Sequence, residues 1–238
     1  MECTLPKDLQ GHLPESVGAV LLAAGQGSRM GNQPKSLLRL NGVSLIDLSL
    51  TALREAAVNN VVVVTGFYYD QIEPRLKTSA VRIARNPNPG EGQPGSVRLG
   101  LETLGHQFSA VLVMLCDQPL LSAQDLQTLI KAFQQRDHGE IVVPTVHGSR
   151  GNPVVFSGAV IREILAQDPA ISCRAYMDRH PELVSFYETD NDHFVTDVDT
   201  LDDIFKFNQT RGVLLELPET VNHTAATKTA SKRDPASS

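Results

Sequence analysis

The 238-residue chain contains no tryptophan, and aromatic residues make up only 5% of it. Its three cysteines are odd in number and widely spaced, which excludes a disulfide framework and a cysteine-built zinc site. The seven histidines include no H-x-x-x-H pair, so a histidine-built metal site is not expected either. No apolar run approaches the ~18 residues that a transmembrane helix needs. The N-terminal segment is polar and unlike a signal peptide, so we expect a cytoplasmic protein with no membrane partner.

Positive charge is also scarce. The formal net charge is −6 and no long basic run occurs, which argues against a nucleic-acid partner. With 41% hydrophobic and 20% charged residues, the composition is that of an ordinary globular protein, and the length fits one large α/β domain or two small ones. We predict one domain at residues 17–212. Residues 1–16 and 213–238 lack apolar periodicity and are predicted to be disordered.

Within the predicted domain, short apolar runs alternate with helical patterns. Three runs, Val17–Ala23, 61–65 and Ala110–Leu115, are apolar throughout, which is typical of strands buried on both faces of a parallel sheet. The order predicts an α/β fold with a single doubly wound, mostly parallel, Rossmann-like sheet and a mixed C-terminal part. Such sheets bind ligands beyond the carboxyl ends of their strands. The other predicted elements are helices at 46–57, 69–77, 96–104 and 122–136, and strands at 81–85, 141–146, 154–156 and 183–188.

The first predicted strand runs into a glycine-rich segment, AAGQGSRMGNQPK at residues 23–35. Gly25, Gly27 and Gly31 allow tight bends that turn successive backbone N–H groups toward one concavity, which forms a nest for anionic oxygens. Arg29 adds a fork of donors and Lys35 a compact charge. The segment therefore predicts a polyphosphate-binding loop. A glycine-rich turn with two solvated cations is the simpler alternative.

Two familiar phosphate loops can be compared with this segment. The Walker A pattern fails because the glycine spacing is wrong and Lys35 does not follow a glycine. The dinucleotide fingerprint nearly fits, although its third glycine comes one position late at Gly31, and Asp47 follows about 20 residues after the loop. Asp47 lies inside a predicted helix rather than at a strand end. An NAD(P)-dependent oxidoreductase therefore stays open as an alternative of another class.

Acidic residues that could bind a metal occur at two later places in the chain. The 110–115 strand ends in Cys-Asp-Gln-Pro, which places Asp117 at the carboxyl edge of the sheet. Mg²⁺ prefers oxygen ligands and takes one or two carboxylates together with phosphates and water, so Asp117 is the predicted ligand. Asp197 and Asp199 stand two apart in a predicted short strand and would share a face. We favour Asp199 as the second ligand, with Asp197 and a helix-capping role as open alternatives.

The glycine loop resembles the L-A-(A/G)-G-x-x-x-R-M-G-x-x-x-K signature of the MobA-like nucleotidyltransferases, and the likeness extends over residues 17–210. The Asp-Gln-Pro turn is similar to that of the molybdenum cofactor cytidylyltransferase branch. The resemblance implies that Arg29 and Lys35 neutralise phosphates while Asp117 holds the metal. It also implies CTP or GTP as donor. Ala24 favours CTP, because guanylyl-transferring relatives usually carry glycine at this position.

The resemblance further implies where the base and the acceptor bind. In the family, a segment similar to residues 86–100 recognises the base, and a stretch similar to 149–156 lies near the acceptor. By position, Arg150 and Asn152 would contact the acceptor, although Asn152 replaces the commoner histidine. The implied nucleotide-binding residues are Ala23, Ala24, Gly25, Gly27, Ser28, Arg29, Gly31, Lys35, Asn86, Gly92 and Ser96.

Together these features predict an Mg²⁺-dependent enzyme that transfers CMP from CTP to a phosphorylated small-molecule acceptor and releases pyrophosphate. The resemblance implies the molybdopterin form of molybdenum cofactor as acceptor, and a molybdoenzyme as a client. A guanylyltransferase or a sugar- or polyol-phosphate nucleotidyltransferase of the same fold stays open. So does a non-catalytic nucleotide-binding chaperone of a molybdoenzyme.

Overall fold

The computed structural model describes residues 16–169 and 171–218. The predicted disordered segments therefore lie largely outside the described residues. Eight strands form one sheet: β1 (Val17–Ala23), β4 (Asn60–Thr65), β5 (Arg82–Arg85), β6 (Ala110–Leu115), β7 (Ile141–Val146), β8 (Ser149–Arg150), β9 (Val154–Ser157) and β10 (Val184–Glu188). A smaller sheet contains β2 (Arg39–Leu40), β3 (Val43–Ser44) and β11 (Leu215–Glu216).

The strand order of the large sheet is β10-β7-β9-β6-β1-β4-β5, with β8 paired to the edge of β7. Strands β6, β1, β4 and β5 run parallel, and β10 runs parallel to β7. Only β9, inserted between β6 and β7, and the short β8 pair antiparallel to their neighbours. This confirms the predicted doubly wound, mostly parallel sheet with a mixed C-terminal part.

Seven helices in the described part of the chain connect the strands, and several begin at side-chain caps. Ser122 accepts a hydrogen bond from the Asp125 backbone N–H, and Asp125 bonds back to the Ser122 N–H, which confirms the predicted cap. The same reciprocal arrangement between Thr200 and Asp203 opens the last helix. The helices are α1 (Leu45–Glu55), α2 (Tyr69–Leu76), α3 (Gln93–Leu104), α4 (Ala123–Gln134), α5 (Gly158–Ala166), α6 (Cys173–Arg179) and α7 (Leu201–Arg211).

Both faces of the large sheet are covered. Along β1, Ala19 and Leu21 point into one buried apolar cluster, while Val20 and Leu22 point into the other. This two-sided burial explains why the strand is apolar throughout rather than alternating. Helix α3 packs so closely that a Cβ added at Gly100 would lie 2.4 Å from a methyl carbon of Val20. Among the described residues, no helix is long and apolar enough to cross a membrane.

Two sequence predictions about the C-terminal part were wrong. The tail does not begin at residue 213, because buried Leu215 pairs with Leu40 in the small sheet. The segment holding Asp197 and Asp199 is not a strand within the described part of the chain. Its Val198 N–H donates to the Asp117 carbonyl at 3.0 Å, and its side chain is buried. Burial of the valine, rather than strand pairing, gives the alternation of acid and apolar residue.

Candidate active site

A cavity of about 640 Å³ lies at the carboxyl ends of β1 and β6. It occupies the edge of the sheet where a doubly wound fold is expected to bind its ligand. We call it the loop cavity, because the glycine-rich segment forms much of its wall. Most of the predicted nucleotide and metal residues line it: Ala23, Ala24, Gly25, Gly27, Ser28, Arg29, Lys35, Gly92, Ser96, Asp117 and Asp199.

The glycine loop is shaped by a short helical turn at Ser28–Met30. Gly27 precedes the turn with φ 63° and Gly31 follows it with φ 68°, both in the left-handed region that favours glycine. A Cβ at Gly27 would lie 2.0 Å from the carbonyl oxygen of Gln33, so no larger residue fits there. Met30 is buried and anchors the turn. The loop therefore has a fixed bend on a buried foundation.

Charged side chains from three parts of the chain meet in this cavity. The ammonium of Lys35 lies 3.4 Å from Asp117 Oδ2 and also forms an ion pair with Asp199 Oδ1. The guanidinium of Arg29 lies 2.7 Å from Asp199 Oδ2. The Lys35 side chain is only 19% exposed, whereas that of Arg29 is 66% exposed. The structure thus brings together the predicted cations and the predicted metal ligands.

The carboxyl group of Asp117 is in an unfavourable place for a charge. Burial raises its pKa, and neighbouring Asp197 and Asp199 raise the pKa further, while Lys35 acts in the opposite direction. Its Oδ1 is buried and has no hydrogen-bond partner among the described residues. A buried carboxylate oxygen without a donor is costly unless something positive satisfies it. Asp117 is therefore poorly satisfied by the protein alone.

These residues fit a divalent cation that is completed by a ligand. Asp117 and Asp199 converge on one cationic group, the ammonium of Lys35, and Asp197 also lines the cavity. Within the described ranges, no three His, Cys, Asp or Glu side chains form a closed metal site. Mg²⁺ does not need one, since one or two carboxylates with substrate phosphates and water suffice.

Two predicted nucleotide-binding residues, Gly31 and Asn86, do not line the cavity. The amide nitrogen of buried Asn86 donates to Ser96 Oγ at 2.9 Å, and its oxygen accepts from the Asn88 N–H. Asn86 therefore holds Ser96 and the start of the following loop in place and does not itself face the cavity. Gly31 serves the bend of the glycine loop.

Sequence reasoning missed several residues of this wall. Phe67 follows the end of β4, and its side chain is 39% exposed. The position of Phe67 could have been predicted, because the ends of the parallel strands β1 and β6 carry other predicted site residues. Gln93, at the start of α3, carried no such signal. The cavity wall also includes Gln26, Ser36, Pro89, Gly90, Leu115 and Cys116.

A second cavity, of about 380 Å³, adjoins the first and shares Gln93 and Leu115 with it. We call it the hairpin cavity, because it is lined by Arg150, from the strand β8 that forms a hairpin with β7, and by Asn152, from the connection between β8 and β9. The structure thus places both predicted acceptor residues together, outside the loop cavity. Much of the remaining wall is apolar and includes Val97, Val113, Val143, Val154, Phe156 and Met177, and Cys173 and Arg174 from α6 also contribute.

Gln118, the residue after Asp117, links two backbone segments next to the cavities. Its amide nitrogen donates to the Phe194 carbonyl at 2.8 Å, and the backbone N–H of Asn152 donates to the same oxygen at 2.9 Å. Gly151 packs against that carbonyl, where an added Cβ would lie at 2.5 Å. The residue after Asp117, the connection between β8 and β9, and the segment that leads to Asp199 are therefore fixed to one another.

Comparison with known proteins identifies the family. The model of the MobA-like NTP transferase domain matches residues 19–183, which is more than half of the chain. The chain belongs to this family. Its structure resembles that of Rv0371c from Mycobacterium tuberculosis, with a TM-score of 0.70 and 22% identity over 82% of this chain and 98% of that protein. A structure of that protein in complex with manganese gives a TM-score of 0.64 at 20% identity, and the match covers 82% of this chain and 99% of that protein.

Two relatives of the MobA-like chain have different names, of which one states an activity. Nicotine blue oxidoreductase of Paenarthrobacter nicotinovorans is 27% identical over 80% of this chain and 95% of its own length. The bifunctional protein GlmU of Streptomyces avermitilis is 34% identical over 70% of this chain, which spans only 36% of GlmU. Family membership supports nucleotidyl transfer of the MobA-like kind. It does not fix the base or the acceptor.

Proposed function

We propose that this MobA-like chain transfers CMP from CTP to a phosphorylated small molecule and releases pyrophosphate, with Mg²⁺ as cofactor. The observation that carries the proposal is the position of Lys35. It lies in the loop cavity between Asp117 and Asp199, next to a fixed glycine loop. The glycine loop, a cationic side chain and two carboxylates therefore line one cavity, and this arrangement supports nucleotidyl transfer.

In the proposed reaction, an acceptor phosphate oxygen attacks the α-phosphorus in line and the bond to the β-phosphate bridging oxygen breaks, so that pyrophosphate leaves. Lys35 and Arg29 neutralise charge on the departing pyrophosphate, and the glycine loop orients the triphosphate through its N–H groups. Asp117 and Asp199 would hold Mg²⁺, which supplies charge neutralisation at phosphate oxygens. No covalent enzyme intermediate is needed, because positioning and electrostatic stabilisation supply the catalysis.

The hairpin cavity is the proposed acceptor site. It joins the loop cavity at Gln93 and Leu115, so an acceptor bound there would have access to the nucleotide. Its walls are mostly apolar, and Arg150, now ion-paired with Asp178, and Arg174 are the cations that could bind an anionic group. An apolar wall with few polar groups suits a ring system better than a polyhydroxylated sugar. This favours a molybdopterin-type acceptor over the sugar and polyol phosphates.

The choice of CTP over GTP rests on Ala24, where guanylyl-transferring relatives usually carry glycine. Ala24 is 7% exposed and lines the loop cavity. A Cβ added at Gly66 would lie 2.8 Å from the Ala24 Cβ, so the methyl group already fills the space against the next strand. We propose that this extra methyl group favours the smaller base.

The similarity to nicotine blue oxidoreductase favours one second candidate, an NAD(P)-dependent oxidoreductase. The dinucleotide fingerprint needs an acidic residue for the ribose. Asp47, the residue at that spacing, lies in the first turn of α1, where its carboxylate accepts a hydrogen bond from Ser44 Oγ. Asp47 is thus engaged at the start of a helix and does not line the loop cavity. The nucleotidyltransferase is therefore preferred. The molybdoenzyme-chaperone alternative predicts nucleotide binding without turnover.

Thermal-shift measurements with CTP, GTP, ATP and NADPH, each with and without Mg²⁺, separate these candidates. We expect Mg²⁺-dependent stabilisation by CTP, followed by pyrophosphate release when molybdopterin-type acceptor is added. Stabilisation by NADPH alone would point to the oxidoreductase. Mg²⁺-dependent CTP binding without release of pyrophosphate from CTP when phosphorylated acceptors are added would favour the non-catalytic chaperone.

The metal site can be tested by removing one charge at a time. We expect Asp117→Asn to lower turnover more than about 100-fold, because a principal ligand is lost. Its melting temperature should not fall, since the change removes a buried, poorly satisfied carboxylate. Asp199→Asn should impair activity more than the control Asp197→Asn. Full activity of Asp117→Asn would refute the proposed metal role.

A further inference from the structure

The turn between β4 and α2 packs directly against the glycine loop. A Cβ added at Gly66 would lie 2.7 Å from the Ala24 carbonyl oxygen, so the two backbones touch. The Phe67 N–H lies 3.5 Å from the same oxygen. The start of the glycine loop is therefore held against the end of the neighbouring strand.

Tyr68, the next residue, reaches the rest of the loop. Its hydroxyl oxygen lies 2.8 Å from the Gln26 carbonyl oxygen and 2.5 Å from the Asn32 carbonyl oxygen. These carbonyls flank the bend that runs from Gly27 to Gly31. Carbonyl oxygens only accept hydrogen bonds, so the single hydroxyl proton must serve both. Burial raises the pKa of Tyr68, which keeps that proton in place at neutral pH.

The anchor matters because the exposed loop residues around the buried Gly27 and Met30 have few hydrogen-bond constraints of their own. Gly25, Gln26, Ser28 and Arg29 are exposed, and the hydrogen bonds that close the bend end on the Gly27 carbonyl. The tyrosine ring packs against the apolar cluster beneath the sheet, which gives the hydroxyl a fixed base. Opening of the loop would displace both the N–H groups and Arg29.

We propose that Tyr68 is a positioning residue whose hydroxyl holds the glycine loop in its ligand-binding shape. The proposal rests on the proposed function in one respect, namely that this loop binds the triphosphate. Tyr68 is absent from the residues that line the loop cavity, so it acts through the loop and not on the substrate. A misplacement of about 1 Å in a binding group can lower a rate by about 100-fold.

The test replaces one oxygen atom in the full-length chain. Tyr68→Phe keeps the packed ring and removes the hydroxyl. Tyr69→Phe, one residue later, removes the same atom from a 42% exposed side chain whose ring lies under Arg85. We expect Tyr68→Phe to raise the KM for the nucleotide about 10-fold and to leave the acceptor KM unchanged. Tyr69→Phe should behave as the unaltered chain.

A second measurement does not depend on turnover. Limited trypsin digestion, followed by mass spectrometry of the bond between Arg29 and Met30, reports how often the loop opens. We expect faster cleavage in Tyr68→Phe than in Tyr69→Phe, and protection of both by CTP with Mg²⁺. If the two variants are cleaved equally and share one nucleotide KM, Tyr68 has no positioning role. If the unaltered chain binds no nucleotide, the proposed function fails, while a cleavage difference would still support the loop anchor.

Discussion

The loop cavity and the hairpin cavity share a border but are built in different ways. The loop cavity is lined by two cations and three carboxylates that follow or face the ends of parallel strands β1 and β6. The hairpin cavity is walled mainly by apolar side chains from β6, β7, β9 and α6, and its arginines are Arg150 and Arg174. This difference predicts that the loop cavity binds its ligand mainly through charge and the hairpin cavity mainly through shape. Substitutions on each side can test that division.

The largest effect is expected inside the loop cavity. Lys35→Ala should lower turnover by about 10²–10³-fold, because it removes a preorganised charge from a partly buried site. Arg29→Ala is the matched control, since its side chain is 66% exposed and contacts only Asp199 among the described carboxylates. It should lower turnover by about 10-fold at most. Steady-state rates of pyrophosphate release, with melting temperatures as a check on folding, would measure both. Equal losses in the two variants would contradict the ranking by burial.

A smaller effect is expected at Gly151, which lines the hairpin cavity and packs against the segment that leads to Asp199. Gly151→Ala places a methyl group 2.5 Å from the Phe194 carbonyl oxygen, which also accepts from Gln118 and Asn152. The overpacked turn should lower the free energy of unfolding by about 1–3 kcal/mol. Urea denaturation would measure this, with Gly95→Ala as the control, because an added Cβ at Gly95 meets nothing within 4 Å and neither Gly95 nor Gly151 has a left-handed φ.

The same variant sharpens the comparison of the cavities. If the shared carbonyl couples them, Gly151→Ala should change the KM of both substrates. A change confined to the acceptor KM would show that the loop cavity is mechanically independent.

The sequence predicted the loop cavity better than the hairpin cavity for a physical reason. The glycine loop and Asp117 directly follow strands whose unbroken apolarity marks them as buried, so local pattern places them at one edge of the sheet. Tyr68 and Gln118 act through contacts with residues distant in the chain, and no local pattern reports such contacts. The same holds for the small sheet, whose two-residue strands are too short to show an alternation.

The segment that holds Asp197 and Asp199 shows that a wrong secondary-structure prediction can still give the side-chain orientation that the structure has. The alternation of acidic and apolar residues around Val198 predicts a strand. In the structure, the valine is instead buried in a separate apolar cluster that also contains Met30 and Phe207. Because the valine points inward, Asp197 and Asp199 both reach the wall of the loop cavity. The side-chain pattern was informative about orientation and uninformative about backbone pairing.

The smallest effect is expected in the hairpin cavity, where a single charge is removed from a largely apolar wall. Arg150 Nη1 lies 2.8 Å from Asp178 Oδ1, and its guanidinium lies 5.6 Å from the centre of the Phe186 ring. Arg150→Met keeps the length and apolar contacts of the side chain and removes the charge. We expect the acceptor KM to rise about 10-fold while the nucleotide KM stays unchanged, because one charge-assisted hydrogen bond is lost.

Arg75→Met, on the exposed surface of α2, controls for loss of a positive charge elsewhere. Asp178→Asn provides the complementary change, since it frees Arg150 from its present partner. If Arg150 serves the acceptor, this variant should keep or lower the acceptor KM. If Arg150 only secures α6 to the hairpin, both Arg150→Met and Asp178→Asn should lower the melting temperature alike and leave the acceptor KM as it was. The hairpin cavity would then recognise its ligand without the charge of Arg150.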